Sequence, residues 1–154
     1  MATRFTFKLD AVLEQRRHAE HHRQRAMAAA QHKVLRLQAE LDAMAAMKRA
    51  SAAELRATGR RLTAATLAAH QQFAAAMRQK AATLNRQIAE AQLEMDLAQS
   101  ALLEAAKQRK VMEKLREREQ ARWLTDERRR EQNADDDATA RAAAAEQSAF
   151  DAVI

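Results

Sequence analysis

Apolar residues recur along this chain in alternating steps of three and four. One lattice of sevens runs Leu13, Glu20, Met27, Val34, Leu41, Lys48, Leu55 and Leu62, and its companion runs Leu9, Arg16, Arg23, Ala30, Leu37, Met44, Ser51 and Thr58. These are the a and d positions of a heptad, the spacing that keeps one face of a helix against a partner helix. The seam is most regular over 27–44. Arg16, Glu20 and Arg23 interrupt it toward the start, and Lys48 and Ser51 interrupt it again later. A second seam runs Phe73, Met77, Leu84, Ile88, Ala91, Met95, Ala98, Leu102, Ala105 and Met112. Leu93, Leu97, Val111 and Leu115 lie off this stripe, so the register is expected to drift or the face to widen after residue 105.

Residues 1–8 alternate polar and apolar and read as a lead-in rather than a helix. Residues 51–69 hold Thr58, Gly59, Thr63 and Thr66, the poorest helical composition in the chain. The pattern therefore predicts an all-α fold of two long helices forming an antiparallel coiled-coil hairpin. It is read as one coiled-coil domain over 1–154, with helix 1 at about 8–57, a turn at about 58–67, helix 2 at about 68–146 and a frayed tail. Such a hairpin is on the order of 80–90 Å long. It places Leu41 opposite Ile88, Val34 opposite Met95, Met27 opposite Leu102, and Phe5 or Phe7 opposite Trp123. Large side chains then face large ones, which favours the hairpin over one unbroken helix that dimerises.

Composition narrows the possibilities. The chain has no proline and a single glycine in 154 residues, so almost nothing stops a helix once it has begun. Alanine supplies much of the 47% apolar content, and there are only five aromatics, enough for a thin seam but not for a thick core. The absence of cysteine excludes disulfides and thiolate metal sites. No apolar run approaches the roughly 18 residues of a membrane span, and Asp10 interrupts the apolar stretch of the N-terminus before arginines follow, unlike a signal peptide. A cytoplasmic location is expected. One glycine cannot build a glycine-rich phosphate loop, and two helices enclose no substrate-sized pocket, so an enzyme and a small-molecule substrate are not expected.

The net charge of +6 is uneven. Residues 1–77 carry 13 Lys/Arg against 6 Asp/Glu, or +7, and residues 78–154 carry 14 against 15, or −1. Opposite bias favours pairing of the halves, and the surplus favours acidic partners. His18 and His22 sit one helical turn apart beside His21, but no carboxylate or cysteine completes an obvious metal site, and no cofactor is expected. Phosphate contacts need only Lys and Arg, yet acidic residues are interleaved throughout and no helix-turn-helix, zinc-finger or bZIP pattern is present, so nucleic acid is not the expected partner.

Four segments carry a family resemblance. The opening Phe5-Thr-Phe7-Lys-Leu9-Asp-Ala-Val12-Leu13 resembles the Phe-x-Phe-x-Leu-x-x-Leu start of the flagellar export protein FliJ family. His70-Gln71-Gln72-Phe73 is similar to that family's Tyr-Gln-Gln-Phe, with histidine in place of tyrosine. Glu113-Lys114-Leu115-Arg116-Glu117-Arg118 is similar to its Glu-Lys-Leu-Arg-Glu-Arg, and Glu131-Gln132-Asn133-Ala134-Asp135-Asp136 to its acidic ending, with asparagine in place of lysine.

The resemblance implies a two-helix stalk of the flagellar type III export apparatus. It implies three partners: a hexameric export ATPase, the cytoplasmic domain of the membrane export gate, and empty export chaperones. It places the protein in the cytoplasm, peripherally associated with the inner membrane at the export apparatus. It points to Phe73 and Met77, four apart on one helix face, as the gate contact, although heptad spacing alone reads them as ordinary seam. Arg16, Arg17 and Arg23, with Arg116, Arg118, Arg122, Arg128 and Arg129, then become candidates for docking on acidic surfaces of the ATPase, since the guanidinium fork pairs carboxylates bidentately. The bland reading of each is a solvated face. The expected seam core is Leu13, Met27, Val34, Leu37, Leu41, Met44, Leu55, Leu84, Ile88, Met95, Leu102 and Met112. The stalk of a virulence secretion system, a homodimeric coiled coil and a basic nucleic-acid-binding rod remain as alternatives.

Overall fold

In the computed structural model residues 4–59 and 62–151 are described, the last three by backbone alone. Residues 1–3 of the expected lead-in, 60–61 of the expected turn and 152–154 of the expected frayed tail lie outside the described residues. Two helices account for nearly everything else: α1, Asp10–Thr58, and α2, Ala64–Asp151. The described residues contain no strand, and the all-α class expected from the pattern is the class that forms.

Each helix end has a local cause. The Asp10 amide donates to the Phe7 carbonyl at 3.2 Å, which fixes the entry into α1, and the acid itself suits the positive end of the helix dipole. α1 stops where Gly59 takes a φ of 51°, the left-handed conformation that ends many helices and that glycine adopts without a side-chain penalty. α2 starts at Ala64, earlier than the expected residue of about 68. Thr63 is the reason. Its Oγ1 accepts the Thr66 amide at 3.1 Å and lies 2.7 Å from the Thr66 hydroxyl, which caps the first turn.

The chain divides into two compact units, His18–Ala106 and Met1–Arg17 with Lys107–Ile154. In the first, the helices pair antiparallel on either side of the turn. Val34, Leu37, Met44, Leu84 and Ala91 form a buried cluster, and Leu41, Met77, Ala81, Ile88 and Met95 pack against it. Leu41 and Ile88, and Val34 and Met95, thus share one core. Ala91 is fully buried, because an alanine in the seam lets the opposing backbone come close. Lys33 Nζ lies 2.7 Å from Glu94 Oε2 across the same pair of helices. Met27, Leu55 and Leu102 are half-buried.

In the second unit the start of α1 lies antiparallel to the later part of α2. Leu13 is completely buried and Phe7 nearly so. The Phe5 and Trp123 rings face each other with centroids 6.0 Å apart, tilted by 52°. Met112 and Leu115 are half-buried, but Val111 is 65% exposed. The off-stripe residues therefore separate: Leu115 turns inward, whereas Leu93 and Leu97 of the first unit remain exposed.

Past the last ring contact, every residue over 128–148 is exposed while the helix continues. Alanines at 138, 140 and 142–145 have the highest helix propensity available, and no proline or glycine interrupts them.

Candidate functional site

Two surfaces hold the residues singled out by the sequence. The first is a groove within the His18–Ala106 unit, beside the turn. It has a volume of about 510 Å³ and is lined by Met47, Ala50, Ser51 and Glu54 of α1 and Thr66, Ala69, His70 and Phe73 of α2. Ser51 sits at a seam position with a side chain too small to close the space between the helices, and that leaves the groove open. Ser51 Oγ lies 3.0 Å from His70 Nδ1, which holds the half-buried imidazole on the groove wall. Met47 stays 54% exposed over the same groove. The result is an apolar trough of Met47, two alanines and Phe73, with one carboxylate, Glu54, on its rim.

Phe73 and Met77 part company here. Phe73 lines the groove and is half-buried. Met77 packs against the buried cluster. The heptad placed both on one face, but only Phe73 meets the open part of the seam. Of the groove partners on α1, Ser51 was marked by the sequence only as an interruption of the seam, and Met47 and Glu54 were not marked. Met47 follows Met44 by three residues and so belongs to the same helix face, a signal that the strict lattice of sevens passes over.

The second surface is polar and lies in the unit that holds both chain ends. Arg16 donates from Nη1 to Gln108 Oε1 at 2.8 Å across the helices. Arg17 bonds Glu14 at 2.6 Å and reaches Glu113 at 3.5 Å, and Glu113 also pairs with Arg109. Hydrogen bonding to Glu14, together with the charges of Glu14 and Glu113, raises the Arg17 pKa above the ordinary arginine value, against a smaller opposing effect of desolvation. Arg116 approaches Asp10 at 3.8 Å. These three arginines are tied to their own molecule. Arg118, Arg122, Arg128 and Arg129 are exposed and make no ion pair among the described residues. Arg23 is exposed as well but belongs to the other unit.

The histidines at 18, 21 and 22 are exposed, and His21 Nδ1 lies 3.1 Å from Gln24 Oε1. Among the described residues no group of three or more His, Cys, Asp or Glu is placed to hold a metal ion. No helix among them is long and apolar enough to cross a membrane. The groove brings one hydroxyl, Ser51, against one imidazole, His70, and for the rest the two surfaces offer shape, apolar area and charge.

No curated protein and no solved structure matches the chain. A family model does. The model described as Flagellar FliJ protein covers residues 5–148, which takes in α1, nearly all of α2, the groove and the arginine-bearing surface. The heptad pattern, the paired helices and this match, which spans nearly the whole sequence, agree: the chain belongs to the FliJ family of flagellar proteins.

Proposed function

We propose that the chain is the stalk and escort of the flagellar type III export apparatus. Its family is a non-catalytic component of that apparatus, which places the chain in flagellum biogenesis and protein transport. In the finer reading it promotes assembly and activity of the hexameric export ATPase, joins it to the cytoplasmic domain of the export gate, and receives empty export chaperones. The ATPase work belongs to the unit that holds both chain ends, and the gate work to the groove at Phe73. The protein acts from the cytoplasm, peripherally at the inner membrane.

The observation that carries this reading is the family match together with residues 128–148, a helical arm exposed on all sides with arginines at its base. A lone helix of this kind gains nothing from its own fold and is suited to insertion into a partner. One asymmetric helix inside a six-fold ring contacts the six subunits unequally, and unequal contact biases both assembly and the order of turnover. Arg118, Arg122, Arg128 and Arg129 supply unpaired guanidinium groups for acidic side chains of the ring. The half-buried Phe73 supplies an apolar anchor for the gate.

Mixing the protein with its cognate export ATPase tests the proposal. Faster ATP hydrolysis and a larger hexameric fraction by sedimentation are expected. No change in either, with both proteins folded, sinks the ATPase role and leaves the fold untouched.

A further inference from the structure

We propose a third interaction surface, on the outer face of α2 around Leu93 and Leu97, that docks a basic amphipathic helix of a partner protein. Leu93 is 66% exposed and Leu97 72%, which makes them more exposed than any core-sized apolar residue of their unit needs to be. They are one turn apart and so form a single ridge. Each lies two residues from a seam position, Leu93 after the fully buried Ala91 and Leu97 after the half-buried Met95. Two residues turn a helix by about 200°, so the leucines point away from α1. They do nothing for the hairpin.

Charge identifies what covers them. The stretch 87–106 contains Glu90, Glu94, Asp96 and Glu104 and no lysine or arginine, in a chain whose net charge is +6. Glu90 stands three residues before Leu93 and Asp96 three residues after it, so the two acids flank the ridge. Glu94 is paired with Lys33 of α1. Glu90 and Asp96 make no ion pair among the described residues. An apolar ridge between unpaired carboxylates complements a helix with one leucine-type stripe bordered by lysine or arginine. That helix packs its own ridge beside Leu93 and Leu97 and brings its cations over Glu90 and Asp96. The buried ridge is short, so the contact suits a transient partner rather than a permanent subunit.

The probe is a fluorescein-labelled, alanine-based helical peptide with one leucine stripe flanked by lysines, and a twin with glutamates in place of the lysines. Binding to the full chain is followed by anisotropy at low salt. The protein as a whole repels a cation, so preference for the lysine peptide reports the local surface rather than net charge. The lysine peptide is expected to bind at least about tenfold tighter than its twin. Leu93→Ser with Leu97→Ser should weaken it about tenfold, and Glu90→Lys with Asp96→Lys should reverse the preference. Unchanged helicity by circular dichroism separates lost docking from lost fold. Equal binding of the two peptides, or unchanged binding by the leucine variant, overturns the proposal. So does self-association in sedimentation that disappears in the leucine variant while neither peptide binds, because the occupant is then a second copy of the chain.

Discussion

Phe5 and Trp123 meet with their ring centroids 6.0 Å apart and their planes tilted by 52°, one residue from before α1 and one from well inside α2. Tilted rings at this separation set the positive edge of one against the negative face of the other, worth about 0.5–1.5 kcal/mol beyond the area they bury. Phe5→Ala and Trp123→Ala should each lower the urea midpoint. The double variant should lose less than the two losses added together, by about that coupling energy. Strict additivity means that the two rings do not interact.

At the turn, the cost of a side chain at Gly59 is conformational. A Cβ added there meets nothing within 4 Å, but the φ of 51° is strained for any residue that carries one. Gly59→Ala should therefore destabilise by about 1–2 kcal/mol. Gly59→Asn should cost less, since asparagine tolerates the left-handed region. Thr63→Ala removes the cap of α2 and should cost about 1 kcal/mol. Equal midpoints for the alanine and asparagine variants at residue 59 would argue against this backbone explanation.

Burial separates residues that look alike in the sequence. Leu84 is 4% exposed and lies in the central cluster, so Leu84→Ala should cost about 2–5 kcal/mol. Leu97 is 72% exposed, and Leu97→Ala should change stability by no more than about 0.5 kcal/mol. Chemical denaturation of the two variants side by side decides the matter. A comparable loss for both would show that Leu97 contributes to the seam.

For the ATPase, the informative arginines are those without internal partners. Arg128→Glu with Arg129→Glu should lower stimulation of the cognate export ATPase several-fold and leave the melting temperature unchanged. Charge reversal at Arg16 and Arg17 should lower stability as well, because it breaks contacts to Gln108, Glu14 and Glu113. Phe73→Ala should impair binding of the export-gate cytoplasmic domain while sparing ATPase stimulation. Parallel losses of both activities in the Phe73 and Arg128/Arg129 variants would refute the division of labour between the two surfaces.

The helices were legible because their causes are local. Heptad spacing, abundant alanine, and the near absence of glycine and proline act within a few residues, and Gly59 marks the end of α1 by its own backbone freedom. The seam at Val34, Leu37, Met44 and Leu84 follows from the same periodicity. The Thr63 cap is also local, but threonine in a threonine-rich stretch does not announce which hydroxyl will cap.

Function was less evenly legible. The four motifs were enough to indicate the family, since they preserve residue order along the chain. Which arginines stay free was not readable, because pairing depends on what the other helix brings opposite: Arg17 meets Glu113, whereas Arg128 makes no ion pair among the described residues. The groove at His70 and Phe73 likewise exists only because Ser51 of α1 stands across from them. Periodicity along one helix determines which face is apolar. Only the packing of two helices decides which apolar residue is covered, and that is why Met77 and Phe73, four residues apart, have different surroundings, and why Leu93 and Leu97 remain uncovered.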